Sequence, residues 1–281
     1  MIIVDSQIHV WAADSPARPW FPWQFGTALR PQPVTIEEIL AVTGAAGVER
    51  TVLVPMGWDG DRNDLALAAA QSSPQHFAIM GRLNLSAPDA RSRLSTWRQQ
   101  PGMKGLRLSP GASTDSRAWL TAGSTDWLWS ACEALNLPIM VHAPELLPLI
   151  GLIAERHPSL RLIIDHMALV HKAKDEAAFR HFSELIQLAR QPNIAVKVSA
   201  LPCYVTETYP FPNLQTFIRR VYDAFGPGRM CWGSDYGRLT CTYRENLNLF
   251  TEEMPWLSGA DKALVMGGAL CRWIDWPPNS G

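Results

Sequence analysis

The amino-terminal segment Ile2-Ile3-Val4-Asp5-Ser6-Gln7-Ile8-His9-Val10-Trp11 joins a short apolar run directly to acidic, amide and imidazole side chains. The run from Ile2 to Val4 has the β-branched composition that is typical of a buried strand. Gln7 and His9 lie two residues apart, so an extended backbone would point both side chains to the same side. The segment therefore predicts a strand that ends in a group of polar side chains.

Similar apolar runs recur along the chain and are separated by longer stretches with helical periodicity. They cover Thr51 to Pro55, Phe77 to Leu83, Gly105 to Leu108, Ile139 to Val141, Arg161 to Ile164, Ile194 to Val198 and Met230 to Trp232. Alternating strands and helices indicate an α/β fold with a parallel sheet, and eight strands close a barrel. We therefore predict a single (β/α)8 TIM barrel that forms one domain over residues 1–281.

Several intervening stretches carry helix-start signals. These signals are Thr35 with Glu38 in the spacing of a capping box, Ser86 with Pro88 and Asp89, and Thr125 with Asp126. Further amphipathic stretches predict helices over Glu145 to Arg156, Asp175 to Arg190, Leu214 to Phe225 and Ala260 to Trp273.

The composition narrows the class of partner. Lys and Arg number 25 against 26 Asp and Glu, and the net charge is -1. Such a balance gives no long-range attraction to nucleic acid or to acidic membranes, so the expected partner is a small-molecule substrate. No secretory pattern and no apolar run of ~20 residues is present, which predicts a cytoplasmic chain. Exposed barrel helices leave a homodimer possible.

The 5 cysteines are scattered and never form C-x-x-C. This spacing disfavours both a disulfide framework and a thiolate zinc site. We expect reduced and mostly buried thiols.

Polar residues follow several of the predicted strands, at the end where barrel enzymes carry their catalytic groups. They are His142 after the fifth run, Asp165 and His166 after the sixth, Asp235 and Tyr236 after the eighth, and Arg82 and Arg107 near the ends of the third and fourth. Together with Gln7 and His9, they predict an active site at the carboxyl-terminal mouth of the barrel. Of the other histidines, His76, His157 and His181 are expected on the surface or in helices. His171 is expected on the surface, although the loop after the sixth strand could bring it to the mouth.

Lys197 lies on the seventh predicted strand, where a buried ammonium is costly unless a carboxylate balances it. Asp235 is the expected partner if the pair is structural, and a contact with substrate is the other interpretation.

The segment from Trp11 to Pro33 is rich in Trp, Pro and Phe and follows the first strand. In a barrel it would lie over the mouth as an aromatic lid or pocket wall built from Trp11, Trp20, Phe21, Trp23 and Phe25. The alternative is that these rings pack the loop onto neighbouring helices.

At these residues the chain resembles the amidohydrolase superfamily, in particular the amidohydrolase-2 group of aryl and sugar lactonases, 2-pyrone-4,6-dicarboxylate lactonase and non-oxidative decarboxylases. The matching fragments are Val4 to Trp11 against D-x-H-x-H-x-W, Lys104 to Arg107 against K-G-x-R, Pro138 to His142 against P-x-x-x-H, Ile164 to Met167, Val196 to Ser199 and Trp232 to Tyr236. The fragments come in the family's order and span nearly the whole chain. The chain departs from the family pattern at Gln7, where the family has its first histidine.

The resemblance implies either one divalent metal, zinc or manganese, or none. Metal-using members place their ligands at the positions of His9, His142 and Asp235 in this chain, with Gln7 at the position of the lost histidine. A neutral amide is a poor zinc ligand, although three good ligands and a water can still form a catalytic site. The same group includes lactonases that use no metal.

Resemblance and site position together predict a hydrolase that opens a small, anionic lactone or a related ester or amide ring. The expected catalytic residues are Asp235, His166 and His142. Asp235 would act as general base toward water, and His166 would position that water or protonate the leaving alkoxide. A cationic group or a metal would polarise the carbonyl.

Substrate contacts are expected from Gln7, His9, Trp11, Arg82, Arg107, Lys197 and Tyr236. Arg107 would bind a substrate carboxylate through its forked donors, Lys197 or Arg82 would supply a second anionic contact, and Trp11 would stack on a ring. Two alternatives remain open: a metal-dependent decarboxylase of the same superfamily, and a binding barrel without turnover. The retained proton-handling groups argue against the second.

Overall fold

In the computed structural model, which describes residues 1–20, 30, 32–110 and 114–277, eight strands form one parallel sheet in the order β1 to β8. Their bounds are β1 Val4–Ile8, β2 Arg50–Leu53, β3 Phe77–Gly81, β4 Met103–Leu108, β5 Ile139–Val141, β6 Leu162–Ile164, β7 Ile194–Ser199 and β8 Met230–Gly233. At the seam between β8 and β1, the backbone N–H of Asp235 donates to the carbonyl of Gln7 at 2.8 Å. The predicted (β/α)8 barrel is confirmed.

Helices lie between the strands on the outside of this barrel. In the described ranges they are α1 Ile36–Ala46, α2 Asp64–Ser72, α3 Ala90–Ser95, α4 Thr114–Thr121, α5 Asp126–Ala134, α6 Leu147–Arg156, α7 Asp175–Ala178, α8 Phe182–Gln187, α9 Pro212–Phe225, α10 Tyr243–Thr251, α11 Gly259–Ala263 and α12 Ala269–Trp273. Within those ranges no helix is long and apolar enough to cross a membrane. The five cysteines are free thiols, as predicted.

Two long helices predicted from periodicity are interrupted. The segment from Asp175 to Arg190 breaks after α7 because the carbonyl of Ala178 accepts the N–H of Val170 at 3.0 Å instead of serving the next helical turn. The segment from Ala260 to Trp273 is divided by a π-helical turn over Leu264–Gly268. In both places a tertiary contact overrides a local pattern that reads as one continuous helix.

The helices begin at or near the predicted start signals, but only some of the predicted capping hydrogen bonds form. Thr35 accepts the backbone N–H of Glu38 at 3.2 Å at the start of α1. The Glu38 carboxylate binds Arg30 and Tyr236, so it does not complete the predicted capping box. Asp89, rather than Ser86, precedes α3.

Side-chain alternation along the strands aims polar groups into the barrel. The interior apolar group from the strands comprises Val4, Val52, Val54, Ala78, Met80, Met140, Ile163, Ala195 and Cys231. Every second residue of a strand points to the same side, so the residue two positions beyond an interior apolar residue also points inward. That rule places Arg82 beyond Met80, His142 beyond Met140, Asp165 beyond Ile163 and Lys197 beyond Ala195.

Strand β1 departs from this alternation. The predicted strand from Ile2 to Val4 lies too early, because β1 runs from Val4 to Ile8 and its pairing with β2 shifts register between Asp5 and Ile8. Val4 belongs to the interior group, but Ile8 packs on the outer face. The irregularity changes which side the odd-numbered residues face, and it brings Gln7 and His9 to the inside.

The amino-terminal end of the barrel is closed by α12 and the residues after it, which pack with the interior group. Gly267 fits here because a Cβ atom at this position would lie 2.9 Å from the carbonyl oxygen of Ile2 and 2.9 Å from Cγ2 of Val4. The glycine therefore allows the carboxyl-terminal segment to approach β1 closely.

Gly267→Ala is expected to lower the free energy of unfolding by about 1–3 kcal/mol, because the added methyl group overpacks a buried contact. The matched control is Gly44→Ala on exposed α1, where a Cβ meets nothing within 4 Å. That change should raise the free energy of unfolding by up to about 1 kcal/mol. Urea denaturation measures both, and equal effects at the two positions would contradict the packing argument.

Candidate active site

A buried ammonium lies among the polar groups inside the barrel. Lys197 on β7 is 0% exposed, and its Nζ lies 3.1 Å from Oδ1 of Asp165. The same Nζ donates to Oε1 of Gln7 and lies 3.4 Å from Sδ of Met140. Asp165 also accepts a hydrogen bond of 2.8 Å from Nε of Arg107. One carboxylate is thus shared by two cations.

The prediction that Asp235 pairs with Lys197 is wrong, and strand register explains why. Ile164 on β6 pairs with Val196 on β7, which sets Asp165 beside Lys197. On the other side, Lys197 pairs with Cys231 of β8, so Asp235 lies four residues further toward the mouth. Asp165 is therefore the carboxylate at the depth of the ammonium.

The charges of this pair are maintained by their mutual attraction. Burial would raise the pKa of Asp165, but Lys197 and Arg107 outweigh burial and hold the pKa below its ordinary value. Burial lowers the pKa of Lys197, and the Asp165 carboxylate opposes that shift. A buried pair of this kind is destabilising when one partner is removed, because the other charge is left unbalanced.

Gln7 connects Lys197 to His9 through two hydrogen bonds whose directions are fixed. An ammonium can only donate, so Gln7 must present Oε1 to Lys197 and its NH2 group to Nε2 of His9, 3.0 Å away. Nε2 of His9 is then an acceptor, and Nδ1 carries the proton that it donates to the carbonyl of Val54 at 2.6 Å. Burial lowers the pKa of His9 to about 4, which agrees with a neutral ring at pH 7.

Asp235 lies at the mouth next to two imidazoles. Its Oδ1 is 3.3 Å from Nε2 of His9 and its Oδ2 is 3.9 Å from Nε2 of His166. Arg238 approaches Oδ2 at 3.4 Å, while Oδ1 is buried with no hydrogen-bond donor. Burial would raise the pKa of Asp235, but His9 and Arg238 hold it below the ordinary value. The carboxylate is therefore ionised, and its Oδ1 has no hydrogen-bond donor in the part of the chain that the structure describes.

His142 and His166 form the opposite wall of this group, with ring centroids 5.6 Å apart in an edge-to-face arrangement. Nε2 of His142 donates to the carbonyl of Leu169 at 2.9 Å, and Nδ1 of His166 lies 2.8 Å from Oγ of Ser199. Burial lowers the pKa of His142 to about 4 and that of His166 well below its ordinary value. Both rings are neutral at pH 7.

The chain turns in the left-handed region just after β6, β7 and β8. His166 has φ 53°, Ala200 has φ 60° and Asp235 has φ 54°. Such angles are uncommon for residues other than glycine and persist where the surrounding structure fixes them. They redirect the backbone so that the side chains of His166 and Asp235 come within 3.9 Å of each other.

Three guanidinium groups line the mouth. Arg82 donates from Nε to the carbonyl of Pro55 at 2.6 Å, and Arg107 donates to Asp165 and to Ser109. Arg238 lies 5.1 Å from the ring centroid of Tyr204 and donates to its hydroxyl at 3.2 Å. Sequence reasoning missed Arg238, although it follows Asp235 by three residues in a single 3-10 turn.

The aromatic residues predicted for substrate contact are held by protein partners. Trp11 is 2% exposed and packs edge-on against Trp58, with ring centroids 5.7 Å apart. Its indole N–H has no hydrogen-bond partner. The Tyr236 hydroxyl donates to Oε1 of Glu38 at 2.8 Å. Contact of either residue with substrate stays a prediction.

The loop aromatics divide between the two interpretations offered above. Trp20 is buried and lies 5.3 Å from Trp58 between ring centroids, as expected for packing. Phe21, Trp23 and Phe25 lie outside the described residues. His76 and His171 are exposed, as expected.

The predicted metal ligands do not have the geometry of a metal site. Nε2 of His9 already accepts a hydrogen bond from Gln7, and Nε2 of His142 is turned to the carbonyl of Leu169. Across the described ranges, no three His, Cys, Asp or Glu side chains are grouped so that they could hold a metal ion. The arrangement of His9, His142 and Asp235 in this chain does not fit a bound zinc or manganese ion.

Comparison with known proteins identifies the family. The sequence profile of a family described as amidohydrolase matches residues 4–268. The chain belongs to the amidohydrolase family. This amidohydrolase is therefore an enzyme of the hydrolase type, as the sequence motifs predicted.

Named relatives and a solved structure extend the comparison. The chain is 29% identical over 240 residues to the L-fucono-1,5-lactonase of Burkholderia ambifaria, which covers 83% of this chain and 79% of the relative. It is 24% identical over 245 residues to the 4-sulfomuconolactone hydrolase of Hydrogenophaga intermedia, covering 83% and 73%. The crystal structure of an amidohydrolase from Burkholderia multivorans with bound zinc has the same fold, with a TM-score of 0.84, 22% identity and coverage of 99% and 100%.

The free energy of unfolding is expected to fall as the pH is lowered from 6.5 to 4. His9 and His142 have pKa values of about 4 in the folded chain against 6.5 ordinarily, so the unfolded chain binds protons in this window that the folded chain excludes. Each ring contributes a loss of up to about 1.4 kcal/mol per pH unit. Asp5 acts with the opposite sign, because burial raises its pKa to about 6 and its stabilising contribution is lost as the pH rises.

Urea denaturation at a series of pH values measures this dependence. His142→Asn should remove one histidine's share of the slope. A free energy of unfolding that increases between pH 6.5 and 4 would contradict the neutral assignment of the site histidines.

Proposed function

We propose that this amidohydrolase opens a small anionic lactone ring by attack of water, with Asp235 as general base and without a metal. The observation that carries the proposal is the ionised Asp235 carboxylate at the mouth, with Oδ1 lacking a donor and Oδ2 facing His166 at 3.9 Å. A carboxylate with an unoccupied oxygen can hold a water and take its proton as the water attacks.

His166 is placed to stabilise the leaving oxygen. If the Ser199 hydroxyl donates to Nδ1 of His166, Nε2 carries the ring proton and faces Asp235. The water oxygen bonds to the lactone carbonyl carbon, Asp235 takes a water proton, and the ring C–O bond breaks. The protonated Asp235 then gives that proton to the leaving alkoxide, to which the Nε2–H group of His166 donates a hydrogen bond, so the protons balance and His166 stays neutral.

Cationic donors stabilise the negative charge that develops on the carbonyl oxygen. Arg107 and Arg238 have guanidinium N–H groups beyond those bound to the protein, and the buried indole N–H of Trp11 has no partner. Fixed donors of this kind stabilise a developing oxyanion without a metal. Lys197 and Gln7 are fully buried and act through Asp165 and His9.

The named relatives support lactone hydrolysis, since an L-fucono-1,5-lactonase and a 4-sulfomuconolactone hydrolase both act on lactones by name. The decarboxylase alternative requires a metal to anchor the substrate carboxylate, and the arrangement of His9, His142 and Asp235 offers none. Release of carbon dioxide rather than acid from a panel of lactones and aromatic carboxylates would select that alternative.

Asp235→Asn is expected to lower turnover on the best lactone of such a panel by about 10²–10⁴-fold, because the amide cannot accept the water proton. Acid release followed with a pH indicator measures the rate, and thermal unfolding confirms that the variant folds. The control Asp223→Asn changes an exposed carboxylate that pairs with Arg219, and its turnover should equal the wild-type value. Undiminished turnover in Asp235→Asn would contradict the assignment of the base.

Treatment with a chelator is expected to leave wild-type turnover unchanged. The NH2 group of Gln7 already donates to Nε2 of His9, which is the nitrogen that would bind a metal. Elemental analysis after purification in zinc and dialysis should find well below one zinc per chain in wild type and more in Gln7→His, which restores the family's imidazole. The exposed Gln71→His is the matched control and should bind no more zinc than wild type. One zinc or manganese per wild-type chain, with activity lost on chelation, would contradict metal independence.

A further inference from the structure

The guanidinium groups of the mouth define the charge of the ligand. We infer that the substrate carries two anionic groups, one bound between Arg82 and Arg107 and the other bound by Arg238 across the mouth. This inference rests on the proposed lactone hydrolysis and names the class of lactone: a ring with a carboxylate or an equivalent anion on each side of the bond that is opened.

The mouth has more fixed positive than negative charge. Lys197, Arg82, Arg107 and Arg238 are cationic, whereas the carboxylates that face them are Asp165 and Asp235. Two positive charges are therefore left over in a largely desolvated site, where unpaired charge is costly. A ligand with two negative charges removes that cost.

Other carboxylates at this end of the barrel do not neutralise the excess, because other arginines already pair with them. Asp59 and Asp64 both bind Arg18, and Asp59 also lies 3.6 Å from Arg62. Glu38 binds Arg30 at 2.5 Å. The surplus therefore stays on the groups that line the mouth.

Arg82 and Arg107 lie side by side, and each has N–H groups that no acceptor among the described residues uses. Arg82 uses Nε for the carbonyl of Pro55, and no side chain in the described ranges accepts from its two terminal nitrogens. Its backbone is held by two hydrogen bonds with Asn63, at 2.8 and 2.9 Å. Arg107, on the adjacent strand, has one terminal nitrogen beyond those bound to Asp165 and Ser109. Two neighbouring guanidinium groups with free donors form a receptor for one carboxylate.

Arg238 supplies the second position. It follows β8, which lies four strands from β4 and therefore across an eight-stranded ring from it. Its guanidinium is held over Tyr204, and its contact with Asp235 is long at 3.4 Å, so donors remain available. An anion bound here lies beside the general base, and the scissile carbonyl then lies between the two anionic groups.

The surplus positive charge of the mouth distinguishes this site from one that binds a neutral sugar lactone. The Burkholderia ambifaria relative is named for a substrate of that neutral kind. A neutral ring would leave the two surplus charges unbalanced when it displaces water from the mouth. Direct hydrogen bonds to a charged group contribute about 1.5–3 kcal/mol each, or on the order of 10–100-fold in affinity.

Isothermal titration with non-hydrolysable ring probes tests the inference without relying on turnover. Benzene-1,3-dicarboxylate is expected to bind the wild type at least 10-fold more tightly than benzoate, and benzyl alcohol more weakly still. Raising the salt concentration should weaken the dicarboxylate most. Equal affinity for the dicarboxylate and benzoate would overturn the inference, and this comparison needs no variant.

Variants then assign the two positions. Arg82→Met and Arg238→Met should each lower dicarboxylate affinity by on the order of 10-fold and bring it close to that of benzoate, with Arg82→Lys giving a smaller loss. The exposed Arg219→Met is the matched control and should bind like wild type. Dicarboxylate affinity unchanged in both Arg82→Met and Arg238→Met would overturn the assignment.

Turnover separates this inference from the proposed function. Faster hydrolysis of a neutral lactone than of a dicarboxylated lactone would overturn the two-anion inference and leave lactone hydrolysis in place. Tight dicarboxylate binding with no hydrolysis of any lactone would support the charge inference and overturn the proposed reaction.

Discussion

The arrangement of the site depends on one constraint: the ammonium of Lys197 is fully buried and must be balanced. Asp165 meets that requirement at 3.1 Å and stays ionised because Arg107 also binds it. The remaining donor capacity of the ammonium fixes the amide of Gln7, and the NH2 group of Gln7 together with the carbonyl of Val54 fixes the proton on Nδ1 of His9. A single buried charge thus sets the hydrogen-bond direction along a chain that ends next to Asp235.

The ion pair between Lys197 and Asp165 orients neighbouring side chains more than it stabilises the fold. Desolvating two charges costs about as much as their attraction returns, and apolar replacements are often neutral or stabilising. An apolar residue at position 197 would leave Gln7 free to turn its amide. His9 would keep its proton on Nδ1, because the carbonyl of Val54 can only accept, but its Nε2 would lose the donor that Gln7 supplies. Specific orientation of the neighbours of Asp235 is what the charged pair provides.

The sequence was sufficient to predict the barrel and most of the rim, because both follow from local patterns. Apolar runs mark the strands, and period-two alternation carries interior residues such as Met140 on to site residues such as His142. The partner of Lys197 was not predictable, since it depends on the register between strands, which no single strand encodes. The inward turn of Gln7 depends on a register shift in β1 that reverses simple alternation.

Arg238 and the left-handed turn at Asp235 were missed for a related reason. A residue five positions past the end of a strand has no periodicity to indicate its direction, and non-glycine residues in the left-handed region carry no sequence signal. Both features bear on the proposal that this chain opens its substrate without a metal. A divalent ion in the mouth would contribute two positive charges, and the guanidinium groups here leave a surplus of the same size. Gln7, which disfavours a bound metal ion, and the arginines around the mouth, which supply positive charge, therefore support the same proposal.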